Sequence, residues 1–205
     1  MGKQIIVRPR KTPLQKRSKQ MVNDILEAAT RVLATQGINS FTTNRVAEVA
    51  GVSVGSLYQY FPNKQSLLFR LQEKEMEENW RVLDAILSNT SIAPKERIFK
   101  TINVFFESEI EEIALRKGLE QAKIYFETMP EYHAHESHVI DRLVCFLNEL
   151  CPTMKEDKAF NAQLILIIIT CVGSRVGEQK LDSVLVQKWA RACTDMICRY
   201  LNIIE

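Results

Sequence analysis

The fold is decided by the stretch Phe41-Thr-Thr-Asn-Arg-Val-Ala-Glu-Val-Ala50-Gly-Val-Ser-Val-Gly-Ser-Leu-Tyr-Gln-Tyr60-Phe-Pro-Asn-Lys64. Thr42 or Thr43 supplies an N-cap oxygen, because a threonine hydroxyl can accept from the free N–H groups of a first helical turn. Val46, Ala47 and Ala50 then form the inner face of a short helix, and Gly51 breaks it. Ser53 caps a second short helix with inner residues Leu57, Tyr60 and Phe61, which Pro62 cannot continue. Only small residues line the Gly51 joint, so the two helices can cross closely. The outward side of the second helix is Val54, Gly55, Ser56, Tyr58 and Gln59. It has little bulk at its start, so backbone can approach a groove, and its hydroxyls, amide and ring suit phosphates and base edges. Each helix start also offers free N–H groups and a positive dipole end to an anion.

Upstream, Val22, Ile25, Leu26, Ala29, Val32 and Leu33 fall on one helical face, and Gly37 ends that helix. Before it lies a basic arm, Lys3 to Lys19, with Pro9 and Pro13 inside it, expected to be extended. Residues 1–64 hold ten Lys/Arg and three Asp/Glu, whereas the remaining chain holds 17 and 22. A basic front on an acidic body points to a polyanion as the front's partner, with Arg8-Pro9-Arg10 able to enter a minor groove.

Downstream, Asn63 can cap a long helix through Leu67, Leu68, Leu71, Met76, Trp80, Leu83 and Leu87. Helical periodicity continues past Pro94 through Ile98, Ile102, Phe106 and Ile110, then over 119–126, from Val139 to Leu150, and over about 157–179 and 183–203. No alternating strand pattern of useful length appears. The 205-residue chain is therefore expected to be all-α, with about nine helices. It divides into an arm over 1–17, a three-helix helix-turn-helix domain over 18–64, and a larger helical ligand-binding and dimerisation domain over 65–205.

Several function classes lose support. There is no Gly-rich phosphate loop, no closely spaced Cys pair and no serine elbow, so neither an enzyme nor a cofactor is expected. The five cysteines read as small buried hydrophobes of a reducing cytoplasm. The start lacks the apolar core of a signal peptide, and the aliphatic run Leu164–Ile169 is far short of a membrane span. A cytoplasmic protein without membrane contact is the expectation.

The quoted stretch resembles the DNA-binding signature of the tetracycline-repressor (TetR) family. The matching pieces are Phe41-Thr42-Thr43, Val46-Ala47, Ala50-Gly51-Val52-Ser53, Gly55-Ser56-Leu57-Tyr58, Tyr60-Phe61 and Asn63-Lys64 before Leu67-Leu68. The resemblance implies an all-helical homodimer that reads a palindromic operator in double-stranded DNA and answers to a small-molecule effector. It implies phosphate contacts by Thr43, Tyr58, Tyr60 and Lys64, with Ser53, Val54, Gly55 and Ser56 at the mouth of the major groove. Gln59 is the best direct base reader, since an amide can bond adenine in two places, and Arg45 could reach a base or a phosphate. Repressor and activator are not separable here. A helical small-molecule binder or enzyme with a vestigial helix-turn-helix is the rival.

The body offers weaker candidates. Trp80, Phe106 and Tyr125 could line a ligand cavity, or be plain core. Leu164–Ile169 is apolar all round, which asks for burial on both faces. Gly173 and Gly177 allow close helix approach. With Ile168, Trp189 and Met196 they are the residues expected at the dimer seam that the resemblance implies. His133, His135 and His138 are spaced poorly for a metal and read as an exposed helix start, with no metal expected. Glu107, Glu109, Glu111 and Glu112 read as a solvated helix face.

Overall fold

The structure, a computed structural model, describes residues 15–152 and 157–203. Most of the expected arm, including Arg8-Pro9-Arg10, lies outside the described residues. Among those described there are nine α-helices and no strand: α1 Lys16–Ser40, α2 Thr43–Ala50, α3 Val54–Tyr60, α4 Lys64–Leu87, α5 Pro94–Glu111, α6 Ile113–Ala122, α7 Pro130–Leu150, α8 Lys158–Gln179 and α9 Ser183–Tyr200, with a 3-10 turn at Lys123–Tyr125. Lys16 and Arg17, expected in the arm, are already helical. α7 begins at Pro130, earlier than the apolar stripe from Val139 suggested, because proline is well tolerated in a first helical turn.

Two compact units form. The first joins Met1–Met76 with Ala114–Tyr132, and the second joins Glu77–Ile113 with His133–Glu205. The division thus falls inside α4 rather than after Lys64, and α6 returns to the first unit. The cause is packing that the local pattern does not show. Leu115, Leu119, Ala122 and Phe126 complete the core built by Ile25, Val32 and Leu33 of α1 with Phe41, Val46, Leu57, Phe61, Leu67 and Leu68. At Gly118 a Cβ would lie 2.6 Å from Leu33 Cγ, so glycine sets how closely α6 crosses α1. Each large side chain withdrawn from water here contributes about 1.5–3 kcal/mol.

In the second unit α5 packs on both α8 and α9. Its core holds Ile98, Ile102, Phe106, Phe146, Leu147, Val176, Val186, Ala190 and Ile197. Buried Arg97 of α5 donates from Nη1 to the carbonyl of Leu87, 2.8 Å away at the end of α4, and pairs through Nη2 with Glu149 of α7. Its guanidinium also stacks 5.0 Å from the Phe146 ring. That pairing holds the Glu149 carboxyl below its ordinary pKa.

The two glycines of α8 have a different use from the one expected. A Cβ on Gly173 would stand 2.6 Å from Phe105 Cε1, and one on Gly177 2.6 Å from the backbone oxygen of Glu109. Both serve the approach of α8 to α5 within one chain, where helix backbones can near each other only without side chains between them. α8 is 22 residues long and holds an 18-residue window of mean hydropathy 1.6, by length and composition apolar enough to cross a membrane, which the short aliphatic run did not suggest. Its character is nonetheless two-sided. Gly173, Val176 and Gly177 are buried, while Gln163, Ser174 and Arg175 stand exposed beside Phe160 and Ile167.

Candidate nucleic-acid interface

Capping builds the interface. Thr42, not Thr43, is the N-cap of α2, and its Oγ1 accepts from the N–H of Arg45 at 3.1 Å. Gly51 ends α2 in the left-handed region (φ 67°), which a residue with a Cβ rarely adopts, and its N–H returns to Ala47 and Glu48. Ser53 caps α3, accepting from the Ser56 N–H at 3.0 Å, and Asn63 Oδ1 accepts from Ser66 N–H at 2.7 Å at the start of α4. The turn between α2 and α3 is thereby set by local chemistry alone.

With Thr42 as the cap, Thr43 is free for another partner. Its Oγ1 lies 3.0 Å from the hydroxyl of Tyr58, joining the start of α2 to the middle of α3. Thr43 is nearly buried, while Tyr58 remains exposed. Ser53, Val54, Gly55 and Gln59 are exposed with it, and Ser56 is half-buried with its hydroxyl 2.8 Å from that of Ser53. A Cβ on Gly55 would meet nothing closer than Ser53 Oγ at 3.8 Å, so the α3 backbone stands open at its first turn. Arg45 is half-buried. Its Nε donates to Gln36 Oε1 at 3.3 Å and its Nη1 pairs with Glu48 at 2.8 Å. Gln36 escaped the sequence reading because Gly37 separates it from α2, and helical periodicity says nothing across such a break.

Two expected contact residues are placed inward. Tyr60 is 6% exposed and belongs to the core of the first unit. Lys64 donates from Nζ to the carbonyl of Ile38 at 2.8 Å, with its ammonium 5.7 Å from the centre of the Phe41 ring. Burial pushes the Lys64 pKa below that of a free lysine. The residues the structure gathers on one open face are therefore Ser53, Val54, Gly55, Tyr58 and Gln59.

Residues 25–71 match the pattern of bacterial regulatory proteins of the tetR family. This segment is a tetR-family domain. The chain is similar to the HTH-type transcriptional regulator EthR of Mycobacterium tuberculosis, 26% identical over 126 residues, 57% of this chain and 58% of the relative. It is also similar to the fatty acid metabolism regulator protein of Bacillus subtilis, 32% identical over 92 residues, 45% of this chain and 46% of that one. The chain thus spans about half the length of these curated relatives. A solved structure described as the SmeT–triclosan complex covers 88% of this chain and 91% of its own, with a TM-score of 0.66 and 18% identity, a likeness of fold. The tetR-family domain begins inside α1 and ends in α4, and so contains the whole α2–α3 face.

Outside the tetR-family domain the weaker candidates scatter. Phe106 is fully buried and Trp80 packs on the core of the second unit, whereas Tyr125 packs on the core of the first. A groove of about 550 Å³ in the second unit is lined instead by Pro94, Lys95, Phe99, Arg191, Asp195 and Ile203, among others. No motif announced it, because its walls come from α5, α9 and the residues after α9. Arg191 lies 4.4 Å over the Phe99 ring, and Lys95 pairs with Asp195 at 3.3 Å.

Of the expected seam residues, Trp189 and Met196 are 45% and 46% exposed and Ile168 is half-buried, while Gly173 and Gly177 are inside. His133 and His138 are exposed on α7, with His138 edge-on to Trp80 at 6.3 Å. The side chain of His135 lies outside the described residues. The acidic face is only partly solvated: Glu109 is buried, and Glu107 accepts from Asn103 Nδ2 at 2.9 Å. The cysteines also differ from expectation. Cys193 and Cys198 are buried and Cys151 is half-buried, but Cys145 and Cys171 face outward. Burial raises the thiol pKa of Cys193.

Proposed function

We propose that this protein is a homodimeric transcriptional repressor that sets α3 into the major groove of a palindromic DNA site and leaves it when a small molecule binds the helical body. The observation that carries the reading is the open face of α3. Ser53, Val54, Gly55, Tyr58 and Gln59 stand outward on a helix whose other side is core. The helix start admits close approach of the groove wall, and Gln59 carries the bidentate amide suited to adenine. Thr43 serves by holding the Tyr58 hydroxyl, and Arg45 by its guanidinium at the edge of α2.

Dimerisation is supported by an apolar stripe that stands exposed among the described residues. Leu185, Trp189 and Met196 on α9 are exposed, as are Phe160 and Ile167 on α8. Two-fold pairing of such stripes would present two α3 helices to two half-sites. Responsiveness to a small molecule rests on the tetR-family domain and on the description of SmeT with triclosan. The groove at Phe99 and Arg191 has the volume range of small-molecule sites. Release requires only that the effector favour the arrangement that does not read DNA.

The test is selection from random-sequence duplexes followed by sequencing. Enrichment of a palindrome bound with a steep salt dependence supports the reading. An unenriched pool rejects it.

A further inference from the structure

We infer that Lys64 is a positioning residue of the DNA-reading unit, a clasp that closes the α2–α3 segment on itself. The inference rests on the DNA-reading proposal for what the clasp serves, but the clasp itself stands on geometry. Lys64 is the first residue of α4, and its Nζ donates to the carbonyl of Ile38, 26 residues earlier. Everything between those two residues is the last turn of α1, then α2, α3 and their turns. One hydrogen bond therefore ties the entry of the reading unit to its exit.

Both ends need that bond. Gly37 leaves helical geometry inside α1 (φ 71°, ψ 175°), so the turn after it is short and its carbonyls lack the partners a continuing helix would supply. The Ile38 oxygen otherwise accepts only the long 3.4 Å contact from the Phe41 N–H among the described backbone bonds. At the other end, a cation at the start of a 24-residue helix opposes the helix dipole. The carbonyl and the face of the buried Phe41 ring answer that charge. One of the three ammonium N–H groups is thereby committed to the carbonyl.

The experiment uses the full chain and its selected duplex, comparing wild type with Lys64→Gln. For the clasp, the affinity for the selected duplex falls about fivefold to tenfold relative to random duplex, since a charge-assisted bond that shapes the reading unit is lost. For a phosphate contact alone, the slope falls by about 0.9 and both duplexes weaken alike, which overturns the inference. A second measurement, independent of the variant's solubility, uses wild type with 15N-labelled lysine, 13C-carbonyl-labelled isoleucine and no DNA. A Lys64 ammonium signal protected from solvent exchange and coupled to the Ile38 carbonyl supports the clasp. A freely exchanging signal rejects it, whether or not the wild type selects a duplex. An unenriched wild-type pool rejects the DNA-reading proposal and leaves this second result to decide the clasp.

Discussion

The hydroxyls of Thr43 and Tyr58 lie 3.0 Å apart, so the start of α2 and the exposed face of α3 are held as one piece. Thr43→Val and Tyr58→Phe each remove one partner, and each is expected to weaken binding to the selected duplex by about 1 kcal/mol. Because they cut the same bond, the double variant should cost little more than either single one. A double-mutant cycle measured by fluorescence anisotropy checks this. Additive losses would mean that Tyr58 acts on DNA independently of Thr43.

Gly173 and Gly177 should respond unequally to alanine. Each gains about 1 kcal/mol of helix propensity from the substitution. At Gly173 the obstacle is the Phe105 ring, a side chain that can turn, so Gly173→Ala should be close to neutral. At Gly177 the obstacle is the backbone of Glu109, so Gly177→Ala should lose net stability, against an overpacking cost of about 1–3 kcal/mol. Urea denaturation decides it, and equal effects would show that α5 yields to both.

The Arg97–Glu149 pair predicts a pH dependence of known sign. Arg97 depresses the folded-state pKa of Glu149 from its ordinary value of 4.5. The pair's stabilisation is therefore full above that value and is lost as pH falls through the lower folded-state pKa. Urea midpoints of wild type and Glu149→Gln should differ near neutrality and converge in acid. The Glu149 side chain is 45% exposed, so solvent screens the effect and keeps it small. A constant offset down to the lowest pH at which the protein stays folded would remove the carboxylate's charge from the account.

The stripe on α9 predicts an oligomeric state. Trp189→Glu and Met196→Glu place charge on exposed apolar positions that carry no intrachain core. Both are expected to yield folded monomers by sedimentation while the wild type runs as a dimer. A monomeric wild type, or variants that stay dimeric, would move the dimer seam off this face.

Much of the reading unit is local chemistry, and local chemistry is written in the sequence. The caps at Ser53 and Asn63, the break at Gly37 and the left-handed turn at Gly51 each follow from a residue type within a few positions of the atoms it serves. For the same reason the helical class of the body was readable from apolar spacing, and the open face of α3 from the residues left over once its core positions were assigned. What tertiary structure alone decided are relations between residues distant in sequence, which no periodicity encodes. It turned Lys64 to Ile38, paired Thr43 with Tyr58, buried Tyr60, and brought α6 back to α1 at Gly118. It also spent Gly173 and Gly177 on α5 rather than on a second chain. A glycine announces room for a close approach, and only packing decides what fills it.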